Sequence, residues 1–148
     1  MGATLAAILA TNFWLNTSSL EVRKIMESRI QHVADRGCSA IDPENIDSYG
    51  NHNGICATEA DAIDFVKFLS LGALLCGVEI GLKNSIGITL NLTSDVDFAV
   101  NEQCIEFKEC DKYTAFYSAS LPVFNIEYPT ASVRKSWPAA QATARCDT

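Results

Sequence analysis

Basic residues are scarce in this 148-residue chain, 11 against 18 acidic ones, and their longest runs are Arg23-Lys24 and Arg134-Lys135. With a net charge of −7 and no clustered Lys or Arg, a nucleic-acid or anionic-membrane surface is excluded from the expectation. No hydrophobic run approaches the length of a membrane span. There are two histidines, His32 and His52, neither at a useful interval from a cysteine pair, and C-x-x-C is absent. A metal site is therefore not expected. G-x-S-x-G, H-E-x-x-H and a cysteine–histidine signature are also missing. No glycine-rich phosphate loop follows a strand, so the chain implies neither a nucleotide nor any other cofactor.

What is present suits one globular domain with a sizeable core, at 48% apolar and 20% charged residues. Six cysteines are many for a reducing compartment and point to an oxidising one. Cys104–Cys110 is the local pair to expect, because it would tie off the loop after Glu102. The sequons Asn16-Thr17-Ser18 and Asn91-Leu92-Thr93 permit secretion. The start, Met1 to Ala10, is apolar but lacks a basic n-region and is a poor secretory signal.

From Asn16 the chain reads as alternating helices and strands. Ser19 caps a helix with Leu20, Val22, Ile25, Met26, Ile30 and Val33 near the 3.6-residue period, stopped by Gly37. Cys38 to Ile41 is a short strand, and Asp42 to Ala57 a polar loop. Thr58-Glu59-Ala60-Asp61 opens the next helix with a capping box; Ile63, Val66, Leu69, Leu74 and Leu75 give its apolar side and Gly77 its end. Strands follow at Val78–Leu82, Asp97–Val100 and Pro122–Ile126, with a loop or short helix around Leu90–Asp95 and a helix over Asp111–Ser120. Residues 130–148 show no core pattern. Strands separated by helices or long connections imply parallel pairing. Polar residues fall at every strand's C-terminal end: Asp42, Lys83-Asn84, Asn101-Glu102, Glu127-Tyr128. Both a (β/α) barrel and an open doubly wound sheet place their sites there.

Asp42 and Glu102 carry the chemical suggestion. Two acids on one rim, separated by one intervening strand, would lie roughly 9–10 Å apart between strand axes at a spacing of about 4.8 Å. Acetal hydrolysis needs such a pair, one carboxyl protonated and one ionised. Inward-leaning side chains could reach either the retaining or the inverting separation. The bland reading of each acid is a helix cap or a solvated loop residue. Asn45, Asp47, Tyr49, Asn51 and Asn53 can form a turn or hydrogen-bond sugar hydroxyls. Lys83 can be a surface ion-pair partner or can hold one carboxylate ionised and split the two pKa values. Glu127 and Tyr128 read the same way, and Trp14 and Trp137 suit packing as well as a sugar platform.

Further motifs carry a resemblance. Trp14-Leu15 with Val22-Arg23-x-Ile25-Met26 and Gly37-Cys38-x-x-Ile41-Asp42-Pro43-Glu44-Asn45-Ile46-Asp47-x-Tyr49 are followed in order by Gly81-Leu82-Lys83-Asn84. Phe98-Ala99-Val100-Asn101-Glu102-Gln103-Cys104 and Val123-Phe124-Asn125-Ile126-Glu127-Tyr128 complete the series. Together, from about Trp14 to Tyr128, they resemble the second half of glycoside hydrolase family 114. The resemblance implies a secreted TIM-barrel endo-hydrolase of α-1,4-linked galactosaminogalactan or polygalactosamine, often labelled α-galactosidase-like. Its partner would be a galactosamine- or galactose-containing polysaccharide. Asp42 would be the nucleophile and Glu102 the acid/base, on strands four and six. Asn45, Asp47, Tyr49, Lys83, Asn84, Glu127 and Tyr128 would line the sugar site. Fungal members are similar in a cysteine pair, here Cys104 and Cys110.

The expected organisation is therefore a residual segment over 1–13, an α/β partial (β/α)8 barrel over 14–128 comprising about strands four to seven, and an unpatterned tail over 129–148. A complete barrel usually takes about 250 residues. Residues 1–13 cannot supply strands one to three, which leads us to expect a truncated or degenerate copy with marginal stability and weak or absent hydrolysis. The alternatives are a non-catalytic carbohydrate-binding remnant and a small disulfide-stapled secreted interaction protein.

Overall fold

A computed structural model of the chain describes residues 13–51 and 54–128. Asn53 and Trp137, the segment before Phe13 and the tail after Tyr128 lie outside the described residues. The elements run α1 (Leu20–Asp35), β1 (Ala40–Ile41), a 3-10 turn at Ser48–Gly50, α2 (Glu59–Cys76) and β2 (Glu79–Lys83). A 3-10 turn at Ile86–Ile88 leads into α3 (Thr89–Leu92), then β3 (Phe98–Glu102) and α4 (Cys104–Phe107). A 3-10 turn at Cys110–Tyr113, α5 (Thr114–Ser118) and β4 (Val123–Ile126) complete the series.

The four strands form one sheet in the order β1-β2-β3-β4, every pair parallel. A doubly wound sheet reverses its strand order at a switch point. Among the described residues no reversal occurs: each strand adds to the same edge, as in the wall of a (β/α) barrel. Between the two architectures the sequence left open, the topology chooses the barrel wall.

Strand pleating then sorts the side chains, since successive residues face opposite sides. Ile80, Leu82 and Ala99 join Ala62, Phe65, Val66, Leu69 and Ala73 of α2, with Leu92, Tyr113 and Phe116, in one buried cluster beneath the helices. Burying each Leu, Val or Phe side chain contributes roughly 1.5–3 kcal/mol. The opposite, barrel-interior face is set by the register: Gly81 opposite Phe98, Lys83 opposite Val100, Val100 opposite Phe124 and Glu102 opposite Ile126. Ala40 pairs with Glu79 on that same face, and Asp42 continues its alternation. Gly81 is required there: a Cβ would sit 2.3 Å from Cε2 of Phe98, whose ring meets Phe124 edge-on at 5.6 Å between centroids.

Local chemistry explains the helices. Thr58 caps α2 with the anticipated box: its hydroxyl accepts the Asp61 N–H while the Asp61 carboxylate accepts the Thr58 N–H. Gly77 ends α2 in the left-handed region at φ 69°. Arg23 of α1 lies over the Phe68 ring at 4.8 Å and pairs with Asp64, pinning α1 to α2.

Several expectations need correction. Leu74 and Leu75 are 74% and 79% exposed, because they follow Ala73 by about 100° and 200° of helical turn and so leave its buried stripe. Leu20 and Ile25 are also exposed, and Ile30 is the one buried residue of α1. The first strand is two residues long, whereas β2 and β3 extend to include Lys83 and Asn101-Glu102. The helix expected over Asp111–Ser120 is a 3-10 turn followed by the five residues of α5, and α4 was not anticipated. The polar loop after Asp42 is not wholly outside the core, since Ile46 is buried.

Candidate active site

Asp42 just past β1, Lys83 at the end of β2 and Glu102 at the end of β3 lie on the barrel-interior face at the C-terminal rim, close enough for their charges to act on one another. Pro43 helps to aim Asp42, since the residue before a proline is confined to extended backbone and keeps the strand's alternation. Lys83 Nζ donates to Glu44 Oε1 at 2.8 Å and lies 3.5 Å from Glu102 Oε1. Its side chain is 13% exposed and that of Glu102 is 21% exposed, so the second pair is shielded from bulk water.

Glu102 is held from several sides. Asn84 Nδ2 donates to Glu102 Oε2 at 3.1 Å, and the Glu102 backbone N–H donates to Asn84 Oδ1 at 2.9 Å. The Tyr128 hydroxyl, just beyond β4, donates to Glu102 Oε1. The Tyr128 hydrogen bond, then Asn84 and Lys83, hold the Glu102 carboxyl below the ordinary glutamate range against an opposing effect of desolvation. Asp42 shifts the other way: desolvation of its carboxyl pushes it up, Glu44 and Glu102 add repulsion, and Lys83 offsets part of this. The Glu44 hydrogen bond raises Lys83, keeping it cationic, and the Glu102 bond raises the Tyr128 phenol.

The residues anticipated for the sugar site thus divide. Asp42, Lys83, Asn84, Glu102 and Tyr128 come together. Glu127 Oε1 instead accepts the Ile105 N–H at 2.9 Å, bracing the loop after β3. Asp47 accepts Asn51 Nδ2 on its backbone carbonyl at 2.9 Å and so holds its own turn. The Tyr49 ring packs on the core, with its hydroxyl near Gly87. Asn45, at φ 58°, lines an apolar cavity with Trp14, Met26, Ile46 and Phe65.

Sequence reasoning missed Glu44 as a site residue. The signal was its position two residues past Asp42 across a proline, which returns it to the same side in extended chain. Cys104 and Cys110 form the anticipated disulfide, and Cys38, Cys56 and Cys76 are free. Among the described residues no three His, Cys, Asp or Glu side chains group as metal ligands. Chemically, the rim offers one carboxylate stabilised in its charged form, one destabilised in it, and a fixed cation between them.

Comparisons with known proteins bear on the family and the fold. The family model described as glycoside-hydrolase family GH114 matches residues 10–148. The crystal structure of Aspergillus fumigatus Ega3 in complex with galactosamine superposes with a TM-score of 0.80 at 43% identity, covering 91% of this chain and 55% of Ega3. The glycoside hydrolase domain of Pseudomonas aeruginosa PelA, as a variant and as the PelA domain itself, superposes with TM-scores of 0.60 and 0.61 at 12% and 13% identity. Each PelA comparison covers 97% of this chain and 69% of the other, and at that identity it bears on the fold alone. None of the curated proteins matches. The chain thus spans about half the length of Ega3, and the four parallel strands among the described residues are part of a TIM barrel. With the family model matching nearly its whole length, the chain belongs to glycoside hydrolase family GH114.

Proposed function

We propose that the site hydrolyses α-1,4-galactosaminidic or α-galactosidic bonds with Asp42 and Glu102 as its carboxylate pair. The observation that carries this reading is the placement of both acids on one face at the C-terminal rim with Lys83 between them. Ega3 is solved with galactosamine, which supports an aminosugar polymer as the substrate class. The family resemblance gives Asp42 the role of nucleophile and Glu102 that of acid/base. In the free protein the shifts run against these roles, since the Asp42 carboxyl is raised from the ordinary aspartate value and the Glu102 carboxyl lowered from the ordinary glutamate value. A cationic aminosugar beside Asp42 would favour its ionised form, and displacement of Tyr128 from Glu102 would relax the strongest effect holding that carboxyl low. Substrate binding therefore moves both carboxyls toward their catalytic roles in this reading.

Release of reducing ends from an α-1,4-galactosamine polymer tests the proposal. Asp42→Asn and Glu102→Gln should each abolish it; unchanged release by either variant removes that residue from the pair. Azide separates the roles. It should rescue Asp42→Asn with an inverted glycosyl azide and Glu102→Gln with a retained one, and the opposite pattern would exchange the assignments.

One observation favours weak hydrolysis or carbohydrate binding alone. The four described strands leave the barrel interior open, with Phe124 56% exposed on it, and β1 holds Asp42 through two paired residues. In that reading the chain binds galactosamine and releases no sugar, and measurable turnover would exclude it. The Cys104–Cys110 disulfide supports an oxidising, extracellular setting.

A further inference from the structure

We propose that Asn84 is a positioning residue for Glu102 rather than a ligand of the sugar. The inference rests on the carboxylate-pair reading above and assigns this residue a different part in it.

Both polar atoms of the Asn84 amide are engaged by the same residue. Nδ2 donates to the Glu102 carboxylate and Oδ1 accepts the Glu102 backbone N–H, at 3.1 and 2.9 Å. The Asn84 backbone N–H is also committed, to the Val100 carbonyl at 2.8 Å. One side chain therefore fixes the end of β3 and the carboxylate it carries. Tyr128 holds the other carboxylate oxygen from β4, so strands on both sides of β3 contribute to the clamp.

The backbone explains why asparagine stands here. Asn84 and Ser85 both adopt the left-handed region, each at φ 51°, turning the chain sharply at the end of β2. Asparagine tolerates this conformation better than most residues with a side chain. Aspartate shares that tolerance but cannot donate to a carboxylate, and glycine is relaxed there but offers no amide. Only a bifunctional amide both donates to the carboxylate and accepts from the backbone.

This distinction directs the experiment. Asn84→Gly removes the clamp while easing the backbone, and Asn84→Asp retains the shape while replacing the donor with a like charge. The charged and titratable groups around Glu102 are Lys83 on β2, Asp42 and Glu44 beyond β1, and Tyr128 beyond β4. All are unchanged in both variants.

In the full chain, carbon-detected NMR titration should show the Glu102 midpoint moving upward in Asn84→Gly and further in Asn84→Asp. Galactosamine affinity should stay within about twofold. In hydrolysis of the polymer, kcat should fall about 10- to 100-fold with KM nearly constant, as expected for a displaced catalytic group. An unmoved Glu102 midpoint in both variants would overturn the proposal. So would an affinity loss of about tenfold with the midpoint unmoved, which marks Asn84 as a sugar ligand. Absence of hydrolysis by the unaltered chain would count against the enzyme reading alone, because the titration decides the clamp without turnover.

Discussion

Asp42 and Glu102 share a rim, and each is governed by different neighbours. Glu102 gains from hydrogen bonds made to its charged form, so its folded-state pKa lies below the ordinary value. Its contribution to stability is present above the unfolded carboxylate range of about 4 and is lost as pH falls through the depressed value. Asp42 has the opposite sign. Desolvation raises it, so its contribution is present at low pH and is lost as pH rises through the elevated value. Asp42→Asn should therefore raise the urea midpoint at pH 7, with the gain disappearing below the unfolded aspartate value of about 3.9. A lower midpoint at pH 7 would show that the Lys83 attraction outweighs desolvation. Tyr128→Phe should raise the Glu102 titration midpoint, as read by carbon-detected NMR. The acids themselves were legible in the sequence because strand-end position can be read locally. Their opposite shifts were not, since the lowering of Glu102 depends on Tyr128 and Asn84 arriving from other strands.

At the scale of elements, the strongest local signals were those with a stereochemical cause. Thr58 and Asp61 announced the start of α2 because a capping box is complete within four residues, and Gly77 announced its end. Thr58→Ala should destabilise the fold by about 1 kcal/mol in chemical denaturation. The 3-10 turns and α4 escaped a periodicity reading because elements of three or four residues cannot establish a 3.6-residue period. The same reading could not separate the buried stripe of α2 from Leu74 and Leu75, as apolar character continues around the helix. Gly81 illustrates a constraint invisible along the chain: the Phe98 ring comes from the next strand. Gly81→Ala should cost roughly 1–3 kcal/mol through overpacking, seen as a lower thermal midpoint. A neutral effect would mean that Phe98 and Phe124 repack freely.

The molecule as a whole is a parallel barrel wall that gathers its polar residues at one rim. The order β1-β2-β3-β4 follows from regular right-handed βα progression, which the alternation of periodic segments made visible. The extent of closure depends on which strands are present and could not be read from any single motif. Among the described residues Phe124 and Ile126 are exposed on the interior face, and β1 and β4 stand at the two edges of the sheet. In the proposed function Asp42 and Glu102 act together on an aminosugar polymer. The most direct measurement is reducing-end release from an α-1,4-galactosamine polymer by the chain, Asp42→Asn and Glu102→Gln under identical conditions. Slow but measurable release by the chain and none by either variant is the expected result; equal release by all three would contradict the pairing of Asp42 with Glu102.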